Sequence, residues 1–202
     1  KEAIEQVARN GRKLKLYPQF QNDHDVVLAA VQQYGWALED ASEALKGDRE
    51  IVLAAVKNSG YALEYASEDL QGDREIVLAA VQQNGLTLGY ASEALQSDRE
   101  IVLAAVQQNG YALRYAPVAF KNNRDFVLEA VKKNGEVLQY VSEDLQGDHA
   151  IVLAAVQQNG YALYSASEAL KNDPEIVLAA VKQYGLALLF ASEDLRGDRE
   201  IL

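Results

Sequence analysis

Six serines, Ser42, Ser67, Ser92, Ser142, Ser167 and Ser192, are each followed by glutamate. A hydroxyl beside a carboxylate is a starting point for nucleophilic chemistry, but it needs a base within hydrogen-bond reach. The two histidines of the chain, His24 and His149, are far apart in sequence and both follow a capping-type aspartate. Catalysis requires different groups converging on one place, whereas here each reactive type recurs singly at even spacing. The serines therefore read as helix caps, the histidines as first-turn substitutions, and no catalytic residue is expected. Two histidines do not build a conventional zinc site unless carboxylates are added, so no metal site and no cofactor are expected. The chain has no cysteine, which removes disulfides, thiolate ligands and a thiol nucleophile. Its Asn-Gly pairs read as helix ends rather than phosphate loops, because no Gly-x-Gly follows a strand.

What remains is aromatic and acidic. Trp36, Tyr61, Tyr65, Tyr90, Tyr111, Tyr115, Tyr140, Tyr161, Tyr164, Leu189 and Phe190 recur at three related positions and form the candidate partner-binding stripe. Tyrosine and tryptophan dominate binding hot spots, and two of the three positions are spaced i, i+4, so that on an α-helix they can touch. These rings either seal one layer against the next or present a ladder for recognition. Glu43, Glu68, Glu93, Glu143, Glu168 and Glu193 form a second regular set. Structurally they place negative charge at helix starts and are expected to pair with an arginine of a neighbouring layer. Functionally they are a stripe for a basic protein or peptide, with cation binding a third reading. Arg9, Arg12, Lys13 and Lys15 are a local basic exception, read as a polar cap or a docking patch for an acidic partner.

The elements that hold these residues repeat every twenty-five positions. Asp23, Asp48, Asp73, Asp98, Asn123, Asp148 and Asp173 each open the same phrase, which in the second copy runs from Asp48 to Gly72. Seven copies fill 23–197, an eighth starts at 198 and stops at 202, and residues 1–22 are a degenerate, cap-like first copy; the whole is expected to be one continuous domain. Within a copy the aspartate is an N-cap, and a glycine at position 13 is expected to end the first helix in the left-handed conformation. Positions 4, 5, 6, 8 and 9 form a wide apolar arc, with 3, 7, 10 and 11 opposite. A second, shorter helix is expected over positions 14–19, buried through Leu at position 16. Pro117, and Pro18 in the worn copy, break it, and one helical or 3-10 turn carrying an apolar residue at position 23 then closes the repeat.

So broad an apolar arc needs neighbours on both sides, as in a stack. The expected fold is therefore all-α: an α-solenoid, a superhelical stack of 25-residue repeats, each one longer helix plus one short helix and a helical or 3-10 turn. An apolar share of 49% supports a folded chain rather than a disordered one. A net charge of −11 argues against nucleic acid and against anionic membranes, since phosphates repel it.

The phrases DREIVLAAVQQNG and ALEYASEDLQGD, spread over nearly the whole chain, resemble the repeats of domain of unknown function family 4116. That resemblance implies a module present in multiple copies, in intracellular bacteria and single-celled eukaryotes, often inside larger proteins, and a place in secreted effectors acting within a host cell. It brings no catalytic residues. The period is also similar to that of the leucine-rich repeat variant, which alternates an α-helix with a 3-10 helix.

The expected function is a non-enzymatic scaffold mediating protein–protein or peptide interaction, basic partners included. The chain starts without Met and breaks off inside a repeat, so it reads as a piece of a longer protein. Two alternatives follow: a substrate-recognition arm of an enzyme whose catalytic domain lies elsewhere, or a passive spacer or rod that self-associates end to end. The expected location is the cytoplasm, or a host cell if the chain belongs to a secreted effector.

Overall fold

Asp48 accepts hydrogen bonds from the backbone N–H groups of Glu50 and Ile51 at 2.9 and 3.2 Å, and Asp73, Asp98 and Asp173 do the same at their own helix starts. Each cap satisfies N–H groups that a helix start otherwise leaves open. In the computed structural model, which describes residues 2–197, these caps open α-helices of ten residues. The expected start of an eighth repeat at residues 198–202 lies outside the described residues. No strand occurs among the described residues, and no helix among them is long and apolar enough to cross a membrane.

Each full repeat has three parts. In the second copy they are a long α-helix Arg49–Asn58, a 3-10 helix Gly60–Tyr65 and a four-residue α-helix Glu68–Gln71. The alternation of α with 3-10 is thus observed. The long helix stops because Ser59 turns to extended backbone, φ −147° and ψ 114°, while its N–H still reaches the Ala55 carbonyl at 2.8 Å. The closing α-turn is fastened to the previous repeat by main chain: Ser67 N–H donates to the Lys46 carbonyl at 2.9 Å, and Ser92 N–H to that of Gln71.

The chain divides into two units, residues 1–108 and 109–202. In the first, the long helices Glu2–Arg9, His24–Gln33, Arg49–Asn58, Arg74–Gln83 and Arg99–Gln108 pack in succession, backed by 3-10 helices Gly11–Leu16, Gly35–Asp40, Gly60–Tyr65 and Gly85–Tyr90. In the second, long helices Arg124–Lys133, His149–Gln158 and Pro174–Gln183 pack in succession, with 3-10 helices Gly110–Tyr115, Gly135–Tyr140, Gly160–Ser165 and Gly185–Phe190 stacked beside them. Each unit is by itself an all-α solenoid.

The core of each unit is the expected one in outline. Ile51, Val52, Ala55 and Val56 of the long helix and Ala62 and Leu63 of the 3-10 helix are fully buried. Three details of the burial pattern differ. At position 6, Leu28, Leu53 and Leu78 are only half-buried, although Leu103 is buried. At position 7, Ala54 and Ala104 are half-buried rather than exposed, because this edge of the long helix lies along the groove to its neighbour. At position 23, Leu45, Leu70 and Leu95 are half-buried, since the short α-turn is the outermost part of the layer.

The recurrent glycine has a different role from the one expected. Among the described residues none, glycine included, has a positive φ. Gly60 instead opens the 3-10 helix, buried, and a Cβ on it would stand 2.8 Å from the Ala80 carbonyl oxygen of the next long helix. At Gly35 and Gly135 the carbonyls of Ala55 and Ala155 would be 2.5 Å away. Hydrogen is the side chain because backbone passes there. The asparagine before the glycine caps the 3-10 helix that follows: Asn84, Asn109, Asn134 and Asn159 accept the N–H two residues on at 2.9–3.0 Å.

Candidate interaction surface

The face of each 3-10 helix away from the core carries positions 14, 17 and 18. Why rings meet there follows from the helix type. A 3-10 helix makes three residues per turn, so side chains at i and i+3 eclipse. Positions 14 and 17 therefore pair within one repeat. Tyr161 and Tyr164 stack at 5.8 Å with 21° between their planes, and the Arg114 guanidinium lies over the Tyr111 ring at 4.7 Å.

Positions 14 and 18, expected to touch within one helix, instead join successive repeats. Trp36 meets Tyr65 at 6.0 Å, Tyr61 meets Tyr90 at 6.3 Å, Tyr111 meets Tyr140 at 5.4 Å and Tyr161 meets Phe190 at 5.1 Å, all edge-on. Trp36 also stacks on Tyr61 at 5.8 Å. Edge-on and offset pairs are the favoured geometries for aromatic rings. The stripe therefore brings together Trp36, Tyr61, Tyr65 and Tyr90 in the first unit. In the second it joins Tyr111 to Tyr140, and Tyr161 and Tyr164 to Phe190. Tyr115 lies under Arg114 at 5.5 Å, and Leu189 projects to solvent.

The rings are at once interlayer contacts and surface. In the first unit they are half-buried, and Glu39 and Glu64 stand exposed beside them. Burial, reinforced by Glu39 and Glu64, holds the Tyr65 hydroxyl above its ordinary pKa. Burial likewise raises the Asp40 carboxyl, with Glu39 adding to the effect. A depression of about 480 Å³ at this end is lined by Arg12, Lys15, Tyr34, Trp36, Glu39 and Asp40, with Arg12 over the Tyr34 ring at 4.8 Å. In the second unit the burial of Tyr140 raises its hydroxyl pKa, with Glu136 contributing. Around Tyr161 and Tyr164, by contrast, the face is open and apolar.

The polar candidates are placed differently from expectation. The serine at position 20 caps with its side chain only at Ser42 and Ser192, each accepting at 3.4 Å, whereas Ser67, Ser92, Ser142 and Ser167 make no such bond. The recurrent glutamates whose partners are seen pair within their own short turn, and not with the second-position arginine of a neighbouring layer. Glu43 and Glu168 pair with Lys46 and Lys171 three residues on, both at 2.9 Å, and Glu193 with Arg196 at 3.6 Å. The arginines reach forward to the cap of the next long helix: Arg49 to Asp73 at 3.0 Å and to Glu75, and Arg124 to Asp148 at 2.7 Å. His24 and His149, one in each unit, face the corresponding acids of the following repeat.

One contact has no strong sequence signal. The amide at position 11 of a long helix reaches back to the preceding repeat: Asn58 accepts from Gly35 N–H at 2.6 Å and donates to the Gln32 carbonyl at 3.0 Å. Gln83 makes the same pair of bonds to Gly60 and Lys57. The recurrence of Asn or Gln on a face read as solvent-exposed was the available hint.

The family described as Domain of unknown function (DUF4116) matches at residues 2–46, 23–71, 48–96, 73–121, 98–146, 123–171 and 173–202. No curated protein and no solved structure matches the chain.

Proposed function

The chain belongs to the DUF4116 family, and we propose that it is a non-enzymatic repeat scaffold that binds a protein or peptide along the ridge of its 3-10 helices. The observation that carries this reading is the cluster in the second unit. Tyr161 and Tyr164 are 49% and 58% exposed and stack on each other at 5.8 Å. Large apolar side chains gathered at the surface mark interaction sites more often than chance exposure does. The even distribution of the serines and the separation of the histidines support a scaffold over a hydrolase. In the first unit, Glu39, Asp40 and Glu64 beside the rings favour a basic peptide there. Delivery as part of a secreted effector rests on the family resemblance alone.

The test is affinity capture from cell extract with the wild-type chain and with Tyr161→Ala/Tyr164→Ala, followed by direct titration of whatever the wild type retains. Both rings lie outside the core, so the variant should remain folded, with a melting transition lowered only modestly, while losing the partner. Undiminished binding by the variant would sink the reading. Concentration-dependent light scattering separates it from an end-to-end assembling rod, which would grow with concentration in the absence of any partner.

A further inference from the structure

We propose that His149, Asp173 and Glu175 form a binding site for a divalent transition-metal ion of the zinc type. The proposal starts from a comparison among repeats. At two repeats whose second residue is arginine, Arg49 and Arg74, the guanidinium fills the space between two carboxylates of the next repeat. Arg49 Nε is 3.0 Å from Asp73 Oδ2 while Nη2 bonds Glu75, and Arg74 reaches Asp98 and Glu100 in the same way. At His149 the same two carboxylates face a shorter imidazole. Its Nε2 is 3.6 Å from Asp173 Oδ2 and 3.5 Å from Glu175 Oε2.

Those separations are too long for N–H···O hydrogen bonds, which cluster at about 2.9–3.0 Å. They match a coordination polyhedron instead. Two ligand atoms each about 2.1 Å from a tetrahedral ion stand roughly 3.4 Å apart. All three donor atoms lie within 4.8 Å of one another. One nitrogen and two carboxylate oxygens suit zinc and its neighbours in the first transition row, with solvent completing the shell. The two carboxylates also carry the charge that a divalent ion neutralises.

The site is pre-formed by the helix cap. Asp173 Oδ1 accepts from Glu175 N–H at 2.9 Å and Ile176 N–H at 3.2 Å, which leaves Oδ2 turned toward His149. Pro174 stands between the two acids as the first helical residue and fixes the backbone that spaces them. The equivalent group at His24 is looser, with Nε2 3.7 Å from Asp48 Oδ2 and 3.9 Å from Glu50 Oε2, and Nδ1 3.5 Å from Asp25. It is the internal control.

The experiment is calorimetric titration of zinc chloride into the tag-free full chain after chelator treatment, near neutral pH. The variants are His149→Arg, Glu175→Gln and His24→Arg. Arginine is the residue the sibling repeats use, so His149→Arg restores the interlayer ion pair and should leave the melting temperature at or above that of the wild type. The expected result is one saturable site, weakened at least about tenfold by His149→Arg and by Glu175→Gln and retained in His24→Arg. No saturable binding by the wild type would overturn the proposal. So would binding that persists in His149→Arg, or that is lost only in His24→Arg.

Discussion

Tyr161 and Tyr164 stack face to face, 5.8 Å between centroids, although they are three residues apart. On an α-helix, residues three apart diverge by about 60° around the axis, and the closest partners are shared between i+3 and i+4. On a 3-10 helix they eclipse. The stack is therefore a consequence of helix type, and helix type decides which rings face a partner. It also frees the residue at position 18 to bridge to the repeat before it, as Phe190 does to both Tyr161 and Tyr164.

Removing one ring of the Tyr161–Tyr164–Phe190 group should affect binding more than folding. Both tyrosines are exposed, and an aromatic pair contributes about 0.5–1.5 kcal/mol beyond burial. Tyr164→Ala is expected to lower stability by no more than about that amount in thermal melts, with the partner's affinity falling further.

Gly60→Ala should destabilise by about 1–3 kcal/mol, as overpacking does. Its Cβ would press on the Ala80 carbonyl, and backbone cannot step aside as a flexible side chain can. Gly147→Ala should cost less, because the nearest atom to that Cβ, the Asp144 carbonyl oxygen, is 3.4 Å away. Equal effects in denaturant titrations would contradict the close-approach account of the glycine.

Leu63→Ala should cost about 2–5 kcal/mol, the range for a fully enclosed leucine. Leu53→Ala, at a half-buried position one long-helix face away, should cost less than half as much. Melting curves of the two variants give the order directly.

Acid should loosen the layers through the caps. The hydrogen bond from Arg124, opposed by some burial and aided by the Ile151 N–H, holds the Asp148 carboxyl below its ordinary pKa. A carboxylate with a lowered folded-state pKa stabilises the fold in full above its unfolded value, about 3.9. That contribution is lost as pH falls through the folded value. Asp98, held down first by the Ile101 N–H, behaves alike. Arg124→Gln should therefore move the acid-unfolding midpoint, followed by circular dichroism, to higher pH.

The sequence alone determined whatever depends on neighbours along the chain: the period, the aspartate caps, and the burial of positions 4, 5, 8, 9 and 16. These follow from local hydrogen bonding and from the spacing of apolar residues around one helix, and both are written in the order of residues. The tertiary structure decided what depends on the next repeat. The space at Gly60, the forward reach of Arg49, the back-clamp of Asn58 onto Gly35 and the ring pairs of the ridge join atoms 20 to 29 residues apart. A distance of a few ångströms between such atoms separates a collision from a hydrogen bond, and periodicity does not encode it. The choice between α and 3-10 in the second helix was of the same kind. Backbone crowding around the buried glycine accompanies the tighter helix, and with that helix the pairing of the rings changes from i, i+4 to i, i+3.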